Sequence, residues 1–388
     1  MSVEGGEIEG MTTAASPRTG SEAWDVIVVG GGPGGSTTAW QLARGGAKVL
    51  VLDGARFPRL KLCAGWVTPT VWRALELDPG EYPRTIQPFR RASLELDGEV
   101  LETSWDHTVS YGIVRREFDE FLLRRAERAG AVVREGERVL GVERDGDAVV
   151  VRAGEVAYRA SLVVGAGGHH CPVARSLGEI SDDENVVVTR ESETRVGADR
   201  LRELTSRHGE PELFAEPDFR GYGWYFTKGD FLNVGIGCIG DGRDLHRRAD
   251  AMIERLRTDG RLPRELELEP FRGHAYALRI APPRSASGEG FALVGDAAGL
   301  AREVSGEGIG PAVESGRLAA TSILSAGRRA PARYRQALAA RFGSGEAGVA
   351  ETIFERLPRA VLEVAARTIC RVPYLRRRLV FEGAFGMG

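Results

Sequence analysis

The sequence predicts an α/β plus β protein: a discontinuous α/β domain around a buried parallel sheet, a second domain formed by an antiparallel sheet, and a helical C-terminal region. Three observations predict it. Short apolar runs at residues 25–30 (DVIVVG), 161–166 (SLVVGA) and 291–295 (FALVG) carry no polar alternation and run into Gly30, Gly165 and Gly295, as strands buried on both faces do. Residues 185–279 change to longer β-like runs with interleaved aromatic residues, the pattern of a second sheet covering a ligand. Residues 327–388 read mostly as helix, interrupted at Pro331, Pro358 and Pro373.

The 388 residues suggest about two or three domains. A net charge of −3 with 28% charged residues provides no chain-wide basic field and argues against a nucleic-acid partner. No apolar stretch approaches the roughly 18 residues of a spanning helix. Residues 1–23 lack the apolar centre of a signal peptide, so a cytoplasmic location is expected. Cys63, Cys171, Cys238 and Cys370 sit singly, without the paired spacing of a zinc or dithiol site, and no metal is expected.

Taken in order, residues 1–22 read as a disordered tail rich in Gly, Ser, Thr and Glu. The strand at 25–30, a helix at 36–44 and a strand at 47–53 form a βαβ unit of about 30 residues. Phe118, Leu122 and Ala126 give residues 117–129 a helical period. Residues 133–164 hold several short β runs with an Asp145-Gly146 turn, and a helix is expected over 310–324.

Gly30-Gly-Gly32-Pro-Gly-Gly35 satisfies G-x-G-x-x-G between that first strand and helix, and Asp53 ends the next strand. Gly30 permits the tight turn, Gly32 lets the backbone approach a pyrophosphate, and Gly35 lets helix and strand pack closely. Asp53 would accept from ribose hydroxyls, and the helix N-terminus offers free N–H groups to phosphate. Near the other end, Val294-Gly295-Asp296-Ala-Ala-Gly299 follows a buried strand and leads to Gly308-Ile309-Gly310 at a helix start. Asp296 suits a ribityl hydroxyl or a helix cap. The helix start can aim N–H groups from Gly308, Ile309 and Gly310 at the pyrimidine edge of a flavin, where negative charge develops on reduction.

With these residues in view, the sequence resembles the FAD-dependent oxidoreductases of the aromatic hydroxylase type, and among them the geranylgeranyl reductase family. The resemblance rests on the fingerprint, on Phe57-Pro-Arg-Leu-Lys61-Leu-Cys63-Ala-Gly65, on Tyr222-Gly-Trp224-Tyr-Phe226-Thr-Lys228, and on GDAAGLAREVSGEGIGPAVESGRLAA. A further segment, Val114-Arg115-Arg-Glu-Phe118-Asp119, resembles the one whose arginine approaches the cofactor. The resemblance implies a Rossmann-type FAD-binding domain over residues 23–85, 112–180 and 276–326. It implies a substrate domain over 86–111 and 181–275, and reduction of isoprenoid C=C bonds. Ala64 and Thr227 depart from the family pattern, as does Gly167-Gly168-His169-His170, where an acidic residue is usual. The related halogenases carry a G-E-S-x-x-P element where this chain reads AGWVTP over 64–69, which disfavours halogenation.

Gly229-Asp230 is a plausible two-residue turn that would pair Lys228 with Phe231, Phe226 with Asn233, Trp224 with Gly235 and Tyr222 with Gly237. Aromatics set against glycines leave a trough suited to an apolar or aromatic small-molecule substrate, or else form core packed against helices. Three of the 52 basic residues are lysines, and two of them, Lys61 and Lys228, lie in these motifs. Cys63 reads equally as a weak acid able to protonate carbon and as a small apolar packing residue. His169 and His170 shape a turn near the cofactor. The catalytic candidates are therefore Cys63, Tyr222, Trp224 and Lys228.

Two enzymatic readings stay open, hydride transfer from FAD to an alkene and hydroxylation of an aromatic substrate, beside a non-catalytic FAD-binding accessory role. A single dinucleotide fingerprint means that NAD(P)H binds transiently or that an electron donor protein serves instead. Residues 327–388 hold 12 arginines against five glutamates, and Arg376-Arg377-Arg378 could rest on an anionic membrane surface, meet a partner or be solvated.

Overall fold

The computed structural model describes residues 18–180, 184, 186–205, 207–240, 242–278, 284–343 and 359–387. Strand β1 (Arg18–Val29) feeds helix α1 (Pro33–Arg44), which returns to strand β2 (Val49–Asp53). β1 runs parallel to β2 on one side and to β3 (Val156–Gly165) on the other, inside an eight-stranded sheet. Val26, Ile27, Val28, Leu50, Val51 and Leu52 are fully buried, which explains why these strands read as unbroken apolar runs. The sequence expectation of a tail through residue 22 is corrected for residues 18–22. They extend β1, with Arg18 and Thr19 opposite Val156 and Ala157, and backbone pairing of this kind leaves no apolar pattern to read. The rest of the expected tail, 1–17, lies outside the described residues.

Helix α2 (Arg115–Arg128) packs beside α1 and brings Arg115 to the sheet's C-terminal edge. The second sheet has seven strands, among them β4 (Val186–Arg195), β5 (Gly221–Lys228), β6 (Phe231–Ile239) and β7 (Arg272–Ala277), with the order β7-β4-β6-β5. It continues through the strands Glu212–Ala215, Arg91–Leu96 and Glu99–Ser104. The β5–β6 hairpin has the register that its Gly-Asp turn predicts, Tyr222 opposite Gly237 through Lys228 opposite Phe231. One junction is parallel, residues 212–214 with 93–95, because these strands come from distant parts of the chain rather than from a hairpin.

The purely β reading of 185–279 misses two helices, Ala198–Leu204 and α3 (Leu245–Thr258). Leu245, Ala249, Met252, Ile253 and Leu256 of α3 bury against Tyr225, Leu232, Val234 and Ile236, so helices cover one face of the hairpin. The opposite face turns toward the first sheet.

Strand β8 (Phe291–Leu293) pairs in parallel with β3 and delivers the chain to helix α4 (Ile309–Ala326). Helices α1 and α4 touch through glycine: a Cβ on Gly316 would stand 2.5 Å from the Gly34 carbonyl oxygen. Thr38 Oγ1 donates to Gly34 at 2.8 Å and approaches the Gly316 carbonyl at 3.2 Å. This close crossing brings two helix N-termini to one cavity. In the C-terminal region Pro331 opens a helix over Ala330–Phe342 and Pro373 opens another turn, while Pro358 lies outside the described residues.

Arg376 is buried rather than displayed, donating to Thr103 Oγ1 and to the carbonyls of Cys370 and Glu102. Arg377 and Arg378 both pair with Glu382. Arg376 is thus taken out of the solvated triplet, while Arg377 stays half-buried and Arg378 exposed beside Glu382.

Candidate functional site: a dinucleotide groove joined to an aromatic chamber

A cavity of about 1020 Å³ lies between the two sheets, lined at one end by the fingerprint turn and at the other by the second sheet. Gly30 adopts φ +110°, and a Cβ there would meet the Ala166 carbonyl oxygen at 2.4 Å. A Cβ on Gly35 would stand 1.9 Å from the Gly30 carbonyl oxygen. The fold itself therefore demands both glycines. Gly32 differs, because a Cβ there meets only the tip of Arg59, at 3.5 Å, and otherwise points into the cavity. That open cradle at the start of α1 fits a closely bound pyrophosphate. Asp53 lines the same end, its carboxylate accepting from the Gly31 N–H at 2.7 Å and the Ala55 N–H at 2.8 Å.

Gly295 and Asp296 follow β8 and line the middle of the cavity. The Asp296 side chain caps no helix. Burial raises its pKa, opposed by Lys61, Arg115 and Arg284 around it. Helix α4 begins with Gly308 and Ile309 on the cavity wall, and the first N–H groups of a helix have no intrahelical acceptor. Gly310 is a correction to the expected trio, since its N–H donates to the Glu307 carboxylate, which also pairs with Arg302 at 3.0 Å. Nothing in the spacing of the motif signals that the chain supplies its own acceptor there.

Arg115 lies buried at the start of α2 in a two-pronged bond with Asp119, both contacts 2.8 Å. Burial works against its charge, but the Asp119 carboxylate more than restores it, and the guanidinium also reaches the Cys63 thiol. Cys63 Sγ accepts from the Gly65 N–H at 3.4 Å, in a loop that lines the cavity. Two residues earlier, Lys61 Nζ lies 2.7 Å from His274 Nε2 on β7. Burial, with Arg115 next, lowers the Lys61 pKa, and burial, then Lys61 and Arg115, holds the His274 imidazole neutral by pushing its pKa to about 3. The neutral ring thus accepts from the ammonium. His169 also lines the cavity, its Nδ1 lying 3.2 Å from Arg284 Nη2.

On the second sheet, Tyr222 and Trp224 face the cavity as the alternation requires, joined by Trp66 and Phe385. Trp66 and Tyr222 both pack against the Phe385 ring, with centroids 5.6 and 5.5 Å away. The Tyr222 hydroxyl donates to the Ser305 carbonyl, and burial, with Cys63 and Glu307 adding, raises its pKa. Trp224 Nε1 donates to Asn233 Oδ1 at 2.7 Å. The aromatic-against-glycine trough is partly filled by its own wall, since a Cβ on Gly235 would lie 2.2 Å from Trp224 Cζ2. Lys228 is a second correction. It is fully buried, does not line the cavity, and donates to the Ala64 carbonyl at 2.8 Å while pairing with Glu193 at 2.5 Å. Its place at the closed end of the hairpin puts it behind the Cys63 loop.

Sequence reasoning missed Glu191, His274 and Tyr276, which line the cavity from β4 and β7. The buried-face alternation of β4 and β7 was available as a signal, but the register between them was not.

A family model described as FAD dependent oxidoreductase matches residues 25–171. A menaquinone reductase of Mycolicibacterium smegmatis is 32% identical over 326 residues, covering 78% of this chain and 77% of that protein. The chloroplastic geranylgeranyl diphosphate reductase of Oryza sativa subsp. japonica is 28% identical over 339 residues, covering 80% of this chain and 69% of that protein. A geranylgeranyl bacteriochlorophyll reductase-like structure from Thermoplasma acidophilum superposes with a TM-score of 0.75 at 22% identity, covering 92% of this chain and 98% of the other.

Proposed function

This chain belongs to the geranylgeranyl reductase family of FAD-dependent oxidoreductases, and from that premise we propose that it reduces a carbon–carbon double bond of an isoprenoid or other apolar substrate. The observation that carries the reading is the two-ended cavity. Its glycine cradle and paired helix starts suit a dinucleotide, and its far end is walled by Trp66, Tyr222, Trp224 and Phe385.

Gly32, Asp53, Asp296 and the N-terminus of α4 are the groups that would hold FAD, which when bound and reduced supplies hydride. The aromatic wall orients an apolar chain and excludes water. Cys63 Sγ holds the proton destined for the second alkene carbon, with Arg115 and the Gly65 N–H placed to receive the charge left on sulfur. The Tyr222 hydroxyl is committed to the Ser305 carbonyl, so its part is to fix the wall. Lys228 positions the loop. Electrons arrive from NAD(P)H bound transiently or from a donor protein. Among the described residues no helix is long and apolar enough to cross a membrane. We assign delivery of a lipid-borne substrate to peripheral contact through the exposed Val372, Tyr374 and Leu379.

The test is anaerobic: FAD-loaded protein is reduced, freed of reductant and mixed with a geranylgeranyl compound that carries no quinone ring. Reoxidation of the cofactor by the alkene without oxygen supports the reading. A strict requirement for oxygen assigns the chain to hydroxylation instead.

A further inference from the structure

One acidic side chain on the cavity wall has no part in the functions assigned so far. Glu191 sits in the middle of β4, opposite Gly235 of β6 and Arg272 of β7. It lines the cavity yet is only 3% exposed. Strand alternation puts it on the same face as Thr189 and Glu193, and the hairpin carries Trp224 and Lys228 onto that face as well. Gly235 separates Glu191 from Trp224 across the sheet. A Cβ on Gly235 would lie 2.8 Å from Glu191 Cβ and 2.2 Å from Trp224 Cζ2, so this missing side chain lets the base of Glu191 and the indole close in on the same spot.

Two carboxyls, Glu191 and Glu193, share this face with one ammonium. Lys228 gives its close contact to Glu193 and a hydrogen bond to the Ala64 carbonyl. Glu191 is left with the backbone N–H of Cys63 as its hydrogen-bond donor. The groups facing it are Lys228 from β5, Arg115 from α2, Tyr276 from β7, Glu193 on its own strand, and the Cys63 loop. A buried carboxyl beside a second carboxyl holds its proton more tightly than an exposed one. Burial first, opposed by Lys228, pushes its pKa up to about 7.

We propose that Glu191 is the proton store of the site, returning a proton to Cys63 Sγ after the thiol has protonated the substrate carbon. The inference rests on the alkene-reduction reading. In balance, the alkene gains hydride and the Cys63 proton, the thiolate left behind takes the Glu191 proton, and solvent later restores the carboxyl. Glu191 acts through Cys63 and is therefore a positioning and relay residue.

The experiment has two arms. Infrared difference spectroscopy on FAD-loaded protein without substrate should show a protonated-carboxyl band that disappears as pH rises through about 7 and is absent in Glu191→Gln. In pre-steady-state mixing, Glu191→Gln should complete a first turnover at close to the parental rate, then slow by about a hundredfold in later turnovers, with Glu191→Asp partly restoring the rate. If the parent shows no carboxyl titrating near neutrality, or Glu191→Gln turns over repeatedly at the parental rate, the proton store is wrong. If the band is present and titrates but no alkene is consumed by the parent, the substrate reading fails while the protonated carboxyl stands.

Discussion

The ammonium of Lys228 donates to the carbonyl oxygen of Ala64 at 2.8 Å, so the hairpin of the second sheet holds the loop that carries Cys63. Residues 164 positions apart are thereby fixed to each other, and the substrate wall cannot shift without moving that loop.

Removing this tie leaves Glu193 without its cation. Lys228→Met should destabilise the fold by about 3–5 kcal/mol, as loss of one partner from a buried ion pair does. Thermal or denaturant unfolding measures it, and stability equal to the parent's would show that the pair is dispensable.

Gly32→Val should abolish FAD retention while leaving the fold intact, because the added side chain enters the cavity rather than the protein core. Gly35→Ala should instead prevent folding, since its Cβ has no room beside the Gly30 carbonyl. Cofactor absorbance and circular dichroism of the two variants separate these outcomes.

Asp296→Ala should weaken FAD binding by roughly 1.5–3 kcal/mol, about one to two orders of magnitude, if its carboxylate accepts a hydroxyl of the cofactor. Titration of apoprotein with FAD gives the number directly. An unchanged affinity would remove Asp296 from the cofactor site.

His274 gives a pH dependence of defined sign. Its folded pKa lies near 3 against an ordinary 6.5, so between those values the native state binds fewer protons than the unfolded chain. Stability should therefore fall as pH is lowered through that window. His274→Asn should flatten this acid limb in melting curves recorded across it, and an unchanged slope would place the acid sensitivity elsewhere.

The fingerprint and the β5–β6 hairpin were legible because short-range geometry governs them: a tight turn needs its glycines, and a two-residue Gly-Asp turn sets register. The contents of the cavity were less so. Lys61 meets His274 across 213 positions, and Glu191 faces Cys63 only once β4 has paired with β6 and β7. Lys228 stands out in the sequence as a rare lysine in a motif, but its burial behind the loop follows from tertiary packing. Helix α3 carried an apolar helical period in plain view, outweighed by the β-rich runs around it. Arg376 illustrates the converse limit, since charge counting cannot tell a displayed arginine from one whose acceptors are Thr103 and two backbone carbonyls.

The most direct test of hydride transfer to an alkene is the mass of the product. FAD-loaded protein, reduced anaerobically and given one equivalent of a polyprenyl substrate, should return that substrate with two added hydrogen atoms, and Cys63→Ser should slow this step while leaving reduction of the cofactor by its donor unaffected. A product that instead gains one oxygen atom, and only when oxygen is admitted, would contradict alkene reduction.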